Sequence, residues 1–509
     1  MALSDHCTQP RNPTLSTDIH YTRLLQAITH DFRTISILVV GDLMLDRYLW
    51  GEVSRISPEA PVPVVRLNRV SENPGAAANV AMNLVRLGVQ CRLAGFVGQD
   101  TDGAKLKEIV TAAGIDATAI WPLSDHPTIT KTRIIGGHQQ MLRLDLEDTR
   151  PPGEADRSQF VESLLRMLDT PPIPGAVILS DYGKGALGNA TCQAIIQAAR
   201  ARNLPVVVDP KGVDYSRYHG ATTLTPNRRE LAEAVPWPYA DLAGLLGQGE
   251  RMIQSLGLDF LTVTLSELGI ALLEPDTAPR RIPAMAKEVY DVSGAGDTVV
   301  ATLTVGLAAG LSRMEALHLA NLAAGVVVGK VGTTPITYPE ILAALSTDAA
   351  MGESDKICDR NRALTRVTAW REMGNKIVFT NGCFDLLHAG HVTYLEKARR
   401  LGQRLIIGLN TDASVRRLKG DSRPVINEND RARVLAAMAS IDMVVLFDDD
   451  TPLHLIKTLR PHVLAKGADY TLEQVVGYRE VLEWGGECVL IPLVEGKSSS
   501  RIVEHIKHP

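Results

Sequence analysis

The sequence has few cysteines, no strong excess of either charge and no apolar run long enough to cross a membrane. The six cysteines are scattered and form no C-x-x-C pair, which argues against a disulfide framework or a structural zinc site and predicts a reducing, cytoplasmic location. The 53 basic and 58 acidic residues give a net charge of −5, so the balance favours neither a nucleic-acid partner nor a membrane surface. The polar start of the chain lacks the apolar stretch of a signal peptide.

Length and composition bound the architecture. At 509 residues the chain is too long for one ordinary core, so we expect at least two domains. Short apolar strands alternate with helical segments through both halves, which predicts α/β folds with parallel, doubly wound sheets. We expect four regions, namely a loosely ordered N-terminal extension, a first domain, a polar linker and a second domain, over residues 1–33, 34–345, 346–369 and 370–509.

The first domain is organised around the segment Asp291–Thr298, which reads DVSGAGDT. Its turn Gly294-Ala295-Gly296 leads into an apolar helical run, so the unpaired N–H groups at the helix start form a natural anion site. Asp297 lies at the mouth of this site, where a carboxylate can take a proton from an attacking hydroxyl. Taken alone, the segment could equally be a glycine-rich turn with Asp297 as a helix cap.

Polar residues follow several predicted strands of the first domain, among them Asp42, Asp181, Asp209 and Asn227. The carboxyl ends of parallel strands meet at the edge where open α/β sheets bind ligands. A single such residue is usually a turn or cap residue, but several together indicate a ligand site. Between the first strand and the next helix, the proline-containing segment 54–65 predicts an edge strand or flap.

These motifs together resemble the ribokinase-like (PfkB-type) sugar kinases. The resemblance implies a doubly wound sheet with a β lid, with Asp297 as catalytic base. It implies that ATP is bound by two motifs, and that Mg²⁺ accompanies the ATP without a direct protein site, with Glu230 nearest to it. The implied ATP-binding residues are Asn227, Arg228, Arg229, Glu230, Gly294, Ala295 and Gly296. The implied sugar-binding residues are Asp42, Gly75 and Asn79, although Asn79 alone would also fit a surface position at a helix start.

The second domain has its strongest motif at His388-Ala389-Gly390-His391, shortly after a predicted strand. Histidines three residues apart lie on one face of the helix start, where imidazoles can donate hydrogen bonds to a phosphate. The pair could instead bind a metal or lie on the surface, but no third metal ligand has a recognisable spacing. A basic cluster over residues 416–423 is either a solvated face or a clamp for a triphosphate. Three serines, Ser498 to Ser500, could cap the last helix or hold outer phosphates.

This half resembles the cytidylyltransferase-like nucleotidyltransferases, which implies a smaller Rossmann-like α/β domain. By this resemblance His388 and His391 bind the α-phosphate of a nucleotide, while a substrate phosphate attacks in line without a covalent intermediate. The implied nucleotide-binding residues are Asn381, Gly382, Phe384, Asp385, Lys419, Arg423, Ser498, Ser499 and Ser500. Lys466 is a weaker candidate.

The order of the two halves resembles a family of bifunctional enzymes of ADP-heptose synthesis, which serves the lipopolysaccharide core. The resemblance implies ATP-dependent phosphorylation of D-glycero-β-D-manno-heptose 7-phosphate at the anomeric hydroxyl. After a separate phosphatase removes the 7-phosphate, adenylyl transfer from ATP to heptose 1-phosphate gives ADP-heptose and pyrophosphate. Arg55, Arg143 and Lys184 are candidates for contacting the sugar phosphate. We also expect a homodimer that pairs through the flap.

Two alternatives stay open at this point. One is a kinase for another sugar, coupled to a nucleotidyltransferase that uses CTP or GTP, because the H-x-G-H motif itself selects no base. The other is a non-catalytic sugar sensor or scaffold, which intact Asp297, His388 and His391 disfavour.

Overall fold

The computed structural model describes residues 19–137, 139–285, 289–330, 332–348, 356–372 and 374–492. The chain forms two compact units, of which the first ends at Ile341 and the second begins at Leu342. Each unit has its own hydrophobic core. No helix within these described ranges is long and apolar enough to cross a membrane.

The first unit contains α1 (Tyr21–Thr29), β1 (Ser36–Gly41), β2 (Leu43–Ile56), β3 (Pro63–Ala76), α2 (Ala77–Arg86), β4 (Gln90–Gly98), α3 (Thr101–Ala112), β5 (Asp116–Leu123), β6 (Ile129–Gly136), β7 (Gln139–Leu146), α4 (Glu154–Met167), β8 (Ala176–Ser180), α5 (Asn189–Arg200), β9 (Val206–Asp209), β10 (Thr223–Leu224), α6 (Arg228–Ala234), α7 (Leu242–Leu256), β11 (Leu261–Thr264), β12 (Ile270–Leu273), β13 (Arg280–Ile282), α8 (Ala295–Ala308), α9 (Arg313–Val327) and α10 (Tyr338–Asp348), which crosses the boundary between the units.

Six of these strands form a parallel sheet in the order β10-β9-β8-β1-β4-β5. Strands β1 and β8 are buried along their whole length, as expected of central strands that are covered on both faces. The short apolar sequences of β1 and β8 therefore reflect their central position in the sheet. Strands β11, β12 and β13 form a separate antiparallel sheet.

A four-stranded sheet in the order β3-β2-β6-β7 forms the lid. Strands β2 and β3 pair antiparallel and meet at a tip between Ile56 and Pro63, which is the proline-containing flap expected from the sequence. Directly paired residues lie on the same face of a sheet. The parallel sheet and this lid confirm the predicted ribokinase-like fold class.

The N-terminal extension expected over residues 1–33 is more ordered than we expected in its described part, which begins at residue 19, and residues 1–18 lie outside the described residues. Residues 21–29 form α1, and Asp31–Thr34 forms a short 3-10 helix. Leu24, Ile28 and Phe32 are fully buried. These apolar residues recur at a spacing of four, but the pattern covers only about two turns and is hard to separate from the polar segment before it.

The second unit continues with β14 (Ile357–Cys358), α11 (Arg360–Glu372), β15 (Ile377–Gly382), α12 (Ala389–Arg399), β16 (Arg404–Asn410), α13 (Asp412–Lys419), α14 (Glu428–Ala436), β17 (Met443–Phe447), α15 (Leu453–Leu459), β18 (Val463–Gly467), α16 (Tyr478–Glu483) and β19 (Glu487–Ile491). Its six strands form one parallel sheet in the order β14-β17-β16-β15-β18-β19. This arrangement confirms the predicted Rossmann-like fold of the second half.

The segment 346–369, which we expected to be a linker, contains β14 and most of α11. Ala363 and Val367 on α11 are fully buried in the core of the second unit, together with Trp370. The helix carries many arginines, which hide its apolar face in the sequence. The second unit thus begins earlier than the motif-bearing strand β15.

Candidate active sites

The anion turn of the first unit begins helix α8. Gly294 is the residue before the helix and has a φ of 78°, a conformation that side chains rarely adopt. A Cβ at this position would also lie 3.0 Å from Nδ2 of Asn79. Glycine is therefore required here by both the backbone and its neighbour, and the helix start meets the sugar-side motif directly.

Asp297 lies in the first turn of α8 and is only 5% exposed. Nδ2 of Asn79 donates a hydrogen bond to its Oδ2 at 2.6 Å, and the Tyr182 hydroxyl donates to its Oδ1 at 2.7 Å. Burial raises the pKa of Asp297 to about 6, although both hydrogen bonds act against this rise. A carboxylate with a pKa near neutrality is suited to accept a proton from a sugar hydroxyl.

A buried amide fixes the position of Asn79 relative to α8. Nδ2 of Asn83, one turn further along α2, donates to the carbonyl of Asn79 at 2.9 Å. Oδ1 of Asn83 accepts hydrogen bonds from the Thr298 hydroxyl and from the N–H of Ile336, each at 3.0 Å. The helices that carry Asn79 and Asp297 are thereby held in one register.

The glycine of the sugar-side motif is needed for close packing within the lid, where Gly75 on β3 lies beside strand β2. A Cβ on Gly75 would lie 2.4 Å from Oδ2 of Asp46, a buried carboxylate on β2. Asp46 forms an ion pair with Arg133 on β6, whose guanidinium lies 5.1 Å from the centroid of the Tyr48 ring. Sequence analysis singled out Gly75 but missed Asp46 and Arg133.

Asp42, a predicted sugar ligand, follows β1 and is 2% exposed. Its carboxylate accepts hydrogen bonds from the N–H groups of Tyr182, Lys184 and Ala186 at 2.8, 3.0 and 3.1 Å. Burial raises its pKa above the usual range, and the nearby charge of Asp181 adds to the rise. Asp42 is therefore the anchor of the loop that follows β8, which places Tyr182 against Asp297.

The predicted ATP motif at the start of α6 is a capping box. Oδ1 of Asn227 accepts from the N–H groups of Arg229 and Glu230 at 3.0 and 2.9 Å, and Glu230 in turn accepts from the N–H of Asn227 at 3.1 Å. The second oxygen of Glu230 pairs with Lys211 at 2.9 Å. Arg228 instead stacks on Tyr239 and Arg229 pairs with Glu233, so the structure directs these two side chains to partners on the surface of the unit.

Acidic side chains crowd the carboxyl ends of the central strands. Asp209 ends β9, and its pKa lies well above the usual range because it is buried and because Asp297 and Glu230 add their negative charges. Asp181, after β8, accepts a hydrogen bond from the Tyr218 hydroxyl at 2.7 Å. Mutual repulsion of this kind is relieved when a cation is bound nearby.

The three cations proposed for the sugar phosphate lie in different surroundings. Arg143 is paired with Asp145 on β7, at 2.9 Å. Register places it beside Arg133 on the same face of the lid. Lys184 pairs with Glu147 at 2.7 Å, and Arg55 is exposed near the lid tip.

The second unit presents its histidine motif at the start of α12. His388 precedes the helix, and its ring stacks on that of His391 with a centroid separation of 3.9 Å. Phe384 packs edge-on against His391 and holds the pair from the other side. Burial lowers the pKa of His391 to about 4, helped by the neighbouring charges of His388 and Lys419. His391 is thus a neutral hydrogen-bond donor at physiological pH.

Asp385 connects the histidine motif to the loop of residues 423–426, which we call the basic loop. Oδ2 of Asp385 accepts from Arg423 at 2.6 Å, and Oδ1 accepts from the N–H groups of Val425 and Ile426 at 2.6 and 3.2 Å. Burial alone would raise the pKa of Asp385, but these hydrogen bonds outweigh it and hold the pKa below the usual range. Two of the predicted residues, Asp385 and Arg423, therefore act as one pair.

A buried lysine lies beside the motif strand. Nζ of Lys466, near the end of β18, donates to the carbonyl of Asn381 at 3.2 Å, the one hydrogen bond that it makes within the described residues. Burial lowers its pKa to about 8. Oδ1 of Asn381 is also buried and finds no hydrogen-bond partner in the described part of the chain. Both side chains thus have capacity for a ligand.

Sequence analysis missed Arg431, which is 1% exposed. Its guanidinium donates to the carbonyls of Cys383, Asn410 and Ile426 and pairs with Asp412 at 2.6 Å. It thereby joins the ends of β15 and β16 to the basic loop. Lys419 ends α13 with its charge within electrostatic reach of His391, whereas Ser498, Ser499 and Ser500 lie outside the described residues.

Comparison with known proteins agrees with both halves. The pfkB family carbohydrate kinase model matches residues 34–340, and the cytidylyltransferase-like model matches residues 379–503. The Bifunctional protein HldE of Magnetococcus marinus is 58% identical over 95% of this chain and 99% of its own length, and that of Methylobacillus flagellatus is 54% identical with the same coverage. The chain belongs to the HldE family of bifunctional proteins. HldE membership confirms the two activities implied by the sequence, a heptose 7-phosphate kinase and a heptose 1-phosphate adenylyltransferase.

The HldE assignment also decides between the alternatives left open by the sequence. It identifies a bifunctional transferase, which disfavours a sugar sensor and a CTP- or GTP-dependent enzyme for another sugar. Phosphofructokinase-2 from Escherichia coli resembles the chain with a TM-score of 0.51 and 16% identity, over 61% of this chain and 98% of that one. At this identity the likeness shows the fold alone.

Proposed function

We propose that the two reactions of the HldE family run in this chain at two independent sites, each built from residues of one unit. The observation that carries the kinase assignment is the buried carboxylate of Asp297 at the start of α8, with Asn79 on one oxygen. For the transferase, it is the stacked pair of His388 and His391 at the start of α12.

In the kinase, Asp297 accepts the proton of the anomeric hydroxyl of heptose 7-phosphate. The anomeric oxygen then attacks the γ-phosphorus of ATP, and the bond between this phosphorus and the bridging oxygen of ADP breaks. The amides of Gly294, Ala295 and Gly296 stabilise the transferred phosphate, because helix N-termini carry partial positive charge. Asn79 orients the base, and Gly75 lets the sugar and the lid approach each other closely.

The sugar phosphate is contacted by cations on the polar face of the lid. Register places Asp46, Lys131 and Asp145 in one row of this face, and Tyr48, Arg133 and Arg143 in the next. Asp46 lies against Gly75, so this face is directed toward the sugar site. Arg143 therefore remains our preferred candidate among the three proposed from sequence.

Magnesium accompanies ATP and neutralises charge on its phosphates. The donor set fits a hard cation, because Asp209 and Glu230 offer carboxylate oxygens that now repel one another. No group of three or more acidic, histidine or cysteine side chains suited to a metal occurs in the part of the chain that the structure describes. Glu230 and Asp209 would hold the cation together with oxygens of the ATP phosphates.

In the transferase, His388 and His391 donate hydrogen bonds to the α-phosphate of ATP. An ionised oxygen of heptose 1-phosphate attacks this phosphorus, and pyrophosphate leaves toward Lys419, Arg423 and the serines at 498–500. Asn381, Gly382, Phe384 and Asp385 shape the nucleotide site. Lys466 neutralises the attacking phosphate, because a buried ammonium with unused donors is a strong anion contact.

The lid supports the proposed homodimer. On the face opposite to Asp46, register aligns Val70, Leu49, Ile134 and Leu142 across all four strands. Leu144 and Leu146 continue the same face and are 52% and 53% exposed. A second copy of the chain with the same apolar face would cover it. The described cysteines are all free, in keeping with the proposed cytoplasmic location.

The deciding experiment follows both products by ³¹P nuclear magnetic resonance. Heptose 7-phosphate, ATP and Mg²⁺ should yield a new anomeric phosphate while the 7-phosphate signal persists, and chelation of the metal should stop the reaction. Heptose 1-phosphate should then give a diphosphate with ATP in preference to CTP and GTP. A phosphate on another hydroxyl, or a preference for another nucleotide, would overturn the assignment. Light scattering of Leu144→Glu tests the lid pairing, since a dimer held there should dissociate.

A further inference from the structure

Both carboxylate oxygens of the kinase base already accept a hydrogen bond, and the base is buried. Oδ2 of Asp297 accepts from Asn79, and Oδ1 accepts from the Tyr182 hydroxyl at 2.7 Å. To accept a proton from a sugar hydroxyl, a carboxylate must itself be reached by that hydroxyl within hydrogen-bond distance. Each oxygen keeps a second lone pair, but Asp297 is only 5% exposed, so a sugar hydroxyl gains access to it when one of the two donors that cover it moves aside.

Of the two donors, Asn79 is the more firmly fixed. It lies in helix α2, its carbonyl accepts from Asn83, and Asn83 is bonded in turn to Thr298 and Ile336. Tyr182 lies on a loop after β8, and its hydroxyl makes no second hydrogen bond within the described residues. Loss of the Tyr182 contact therefore breaks one bond, whereas loss of the Asn79 contact would strain a buried network.

The loop of Tyr182 is also coupled to the sugar side of the site. Its N–H donates to Asp42, a predicted sugar ligand, at 2.8 Å, and the N–H of Lys184 donates to the same oxygen. The ring of Tyr182 packs against Met44, Ala76 and Ile129. Burial and the neighbouring Asp297 keep the pKa of the Tyr182 hydroxyl well above its usual range, so it remains a donor at every physiological pH.

We propose that Tyr182 is a positioning residue that caps Asp297 in the absence of sugar, and that the anomeric hydroxyl displaces it from Oδ1. This inference rests on the proposed role of Asp297 as base. The proton balance is simple, because Tyr182 keeps its own proton throughout. The sugar O–H bond breaks, its proton passes to Oδ1 of Asp297, and its oxygen forms the new bond to the γ-phosphorus.

Other charged groups also affect the pKa of Asp297. Asp46 from β2 raises its pKa and Lys131 from β6 lowers it. Asp209 at the end of β9 carries a further negative charge that interacts with Asp297. Glu230, which pairs with Lys211, interacts in turn with Asp209. Tyr182→Phe leaves all of these groups in place, so a change in the titration of Asp297 would report the lost hydroxyl.

The test compares Tyr182→Phe with the unaltered full chain over pH 5 to 9, with ATP saturating. Loss of a donor to a carboxylate raises its pKa. The acid limb of kcat/KM, which reports the free enzyme, should therefore move up by about one pH unit. The acid limb of kcat, which reports the sugar complex, should stay in place. At the alkaline plateau the KM for heptose 7-phosphate should fall by about threefold, because the sugar no longer competes with an existing hydrogen bond.

Tyr215→Phe is the matched control. Tyr215 is a second buried tyrosine of the first unit, and its hydroxyl has no hydrogen-bond partner among the described residues. All kinase constants of this variant should equal those of the unaltered chain. The second ionisation of a sugar phosphate also falls near pH 6, but it is common to all three proteins and cancels in the comparison. Thermal unfolding of both variants verifies that they are folded.

Three outcomes would overturn the proposed role of Tyr182 as a cap on Asp297. A rise in KM with an unchanged kcat would make Tyr182 a sugar contact. An equal shift of both acid limbs would mean that Tyr182 stays bonded to Asp297 during the reaction, and no shift at all would mean that it makes no such bond in solution. Failure of the base assignment is seen separately, as kinase activity that survives in Asp297→Asn.

Discussion

The two active sites use the same scaffold with opposite electrostatics. Each lies where parallel strands end, next to a helix N-terminus, and we propose that each binds the phosphates of ATP. In the first unit, buried carboxylates crowd together, and the pKa of Asp297 is raised to about 6. In the second, partly buried basic side chains occur instead, and the pKa values of His391 and Lys466 are lowered to about 4 and about 8.

The nucleophiles explain this difference. A sugar hydroxyl is not ionised at neutral pH, so the kinase needs a base. The ionised form of that base must be destabilised enough for the base to accept a proton. The phosphate of heptose 1-phosphate is already an anion, so the transferase needs no base. It needs donors and cations that stabilise charge on the α-phosphate and bring two anions together. In the proposed mechanism the fold therefore sets where ATP binds, while the buried side chains set which nucleophile can attack.

The largest expected effect is on the kinase rate, and it follows from substitution of the proposed base. Asp297→Asn should lower kinase kcat by about a thousandfold, because the amide cannot accept the proton. Adenylyl transfer by the same protein should be unchanged and serves as the internal control. Both rates are measured by coupled assays of ADP and pyrophosphate. Equal loss of both activities would refute independent sites.

The reciprocal change should be somewhat weaker. His391→Ala removes one donor to the α-phosphate and should lower the transferase rate by about a hundredfold, with the kinase unaffected. His454→Ala, at an exposed histidine of the same unit, is the matched control and should retain both activities. A His391→Ala variant with full transferase activity would remove this residue from the mechanism.

The pH dependence sharpens the comparison without any mutation. Since the pKa of Asp297 is raised to about 6, kinase kcat/KM should fall about tenfold for each pH unit below 6 as the base becomes protonated. Because the pKa of His391 is lowered to about 4, this residue stays neutral between pH 5 and 7 and should produce no change in transferase kcat/KM there. Both sugar phosphates also ionise near pH 6, so the acid limb of the kinase should be steeper than that of the transferase, and parallel acid limbs would show that the electrostatic contrast does not control the rates.

The smallest expected effect concerns Lys466. Its pKa of about 8 means that it loses its charge as the pH rises, so transferase kcat/KM should decline about fivefold between pH 8 and 9. Lys466→Arg keeps the charge at high pH and should remove most of this decline, whereas Lys466→Met should be weak at every pH. An unaltered alkaline limb in Lys466→Arg would assign the decline to another group.

The sequence predicted those features that are local in the chain. Asp297 with its turn, the Asn227–Glu230 motif and the histidine pair are short motifs whose spacing already fixes a helix start. Asp46, Asn83, Tyr182 and Arg431 escaped notice because their partners lie far away in the sequence. Asn83 and Thr298, for example, are 215 residues apart. No local pattern marks such a contact, since it depends on which strands become neighbours.

The prediction of secondary structure failed where the composition of a helix concealed its apolar face. Helix α11 carries four arginines among thirteen residues, so its buried side chains were not recognised. Helix α1 is only nine residues long and follows a polar segment. In both cases the energy that forms the helix comes from packing against a core, which the sequence of the helix alone does not reveal.

That each set of site residues belongs to a single unit has a consequence for how the cell makes these enzymes. In the proposed reactions the kinase product carries two phosphates and the transferase substrate carries one, so a separate phosphatase acts between them. Fusion in one chain does not replace this step. What it guarantees is copy number, because one messenger and one translation event always deliver the two catalysts in a ratio of one to one.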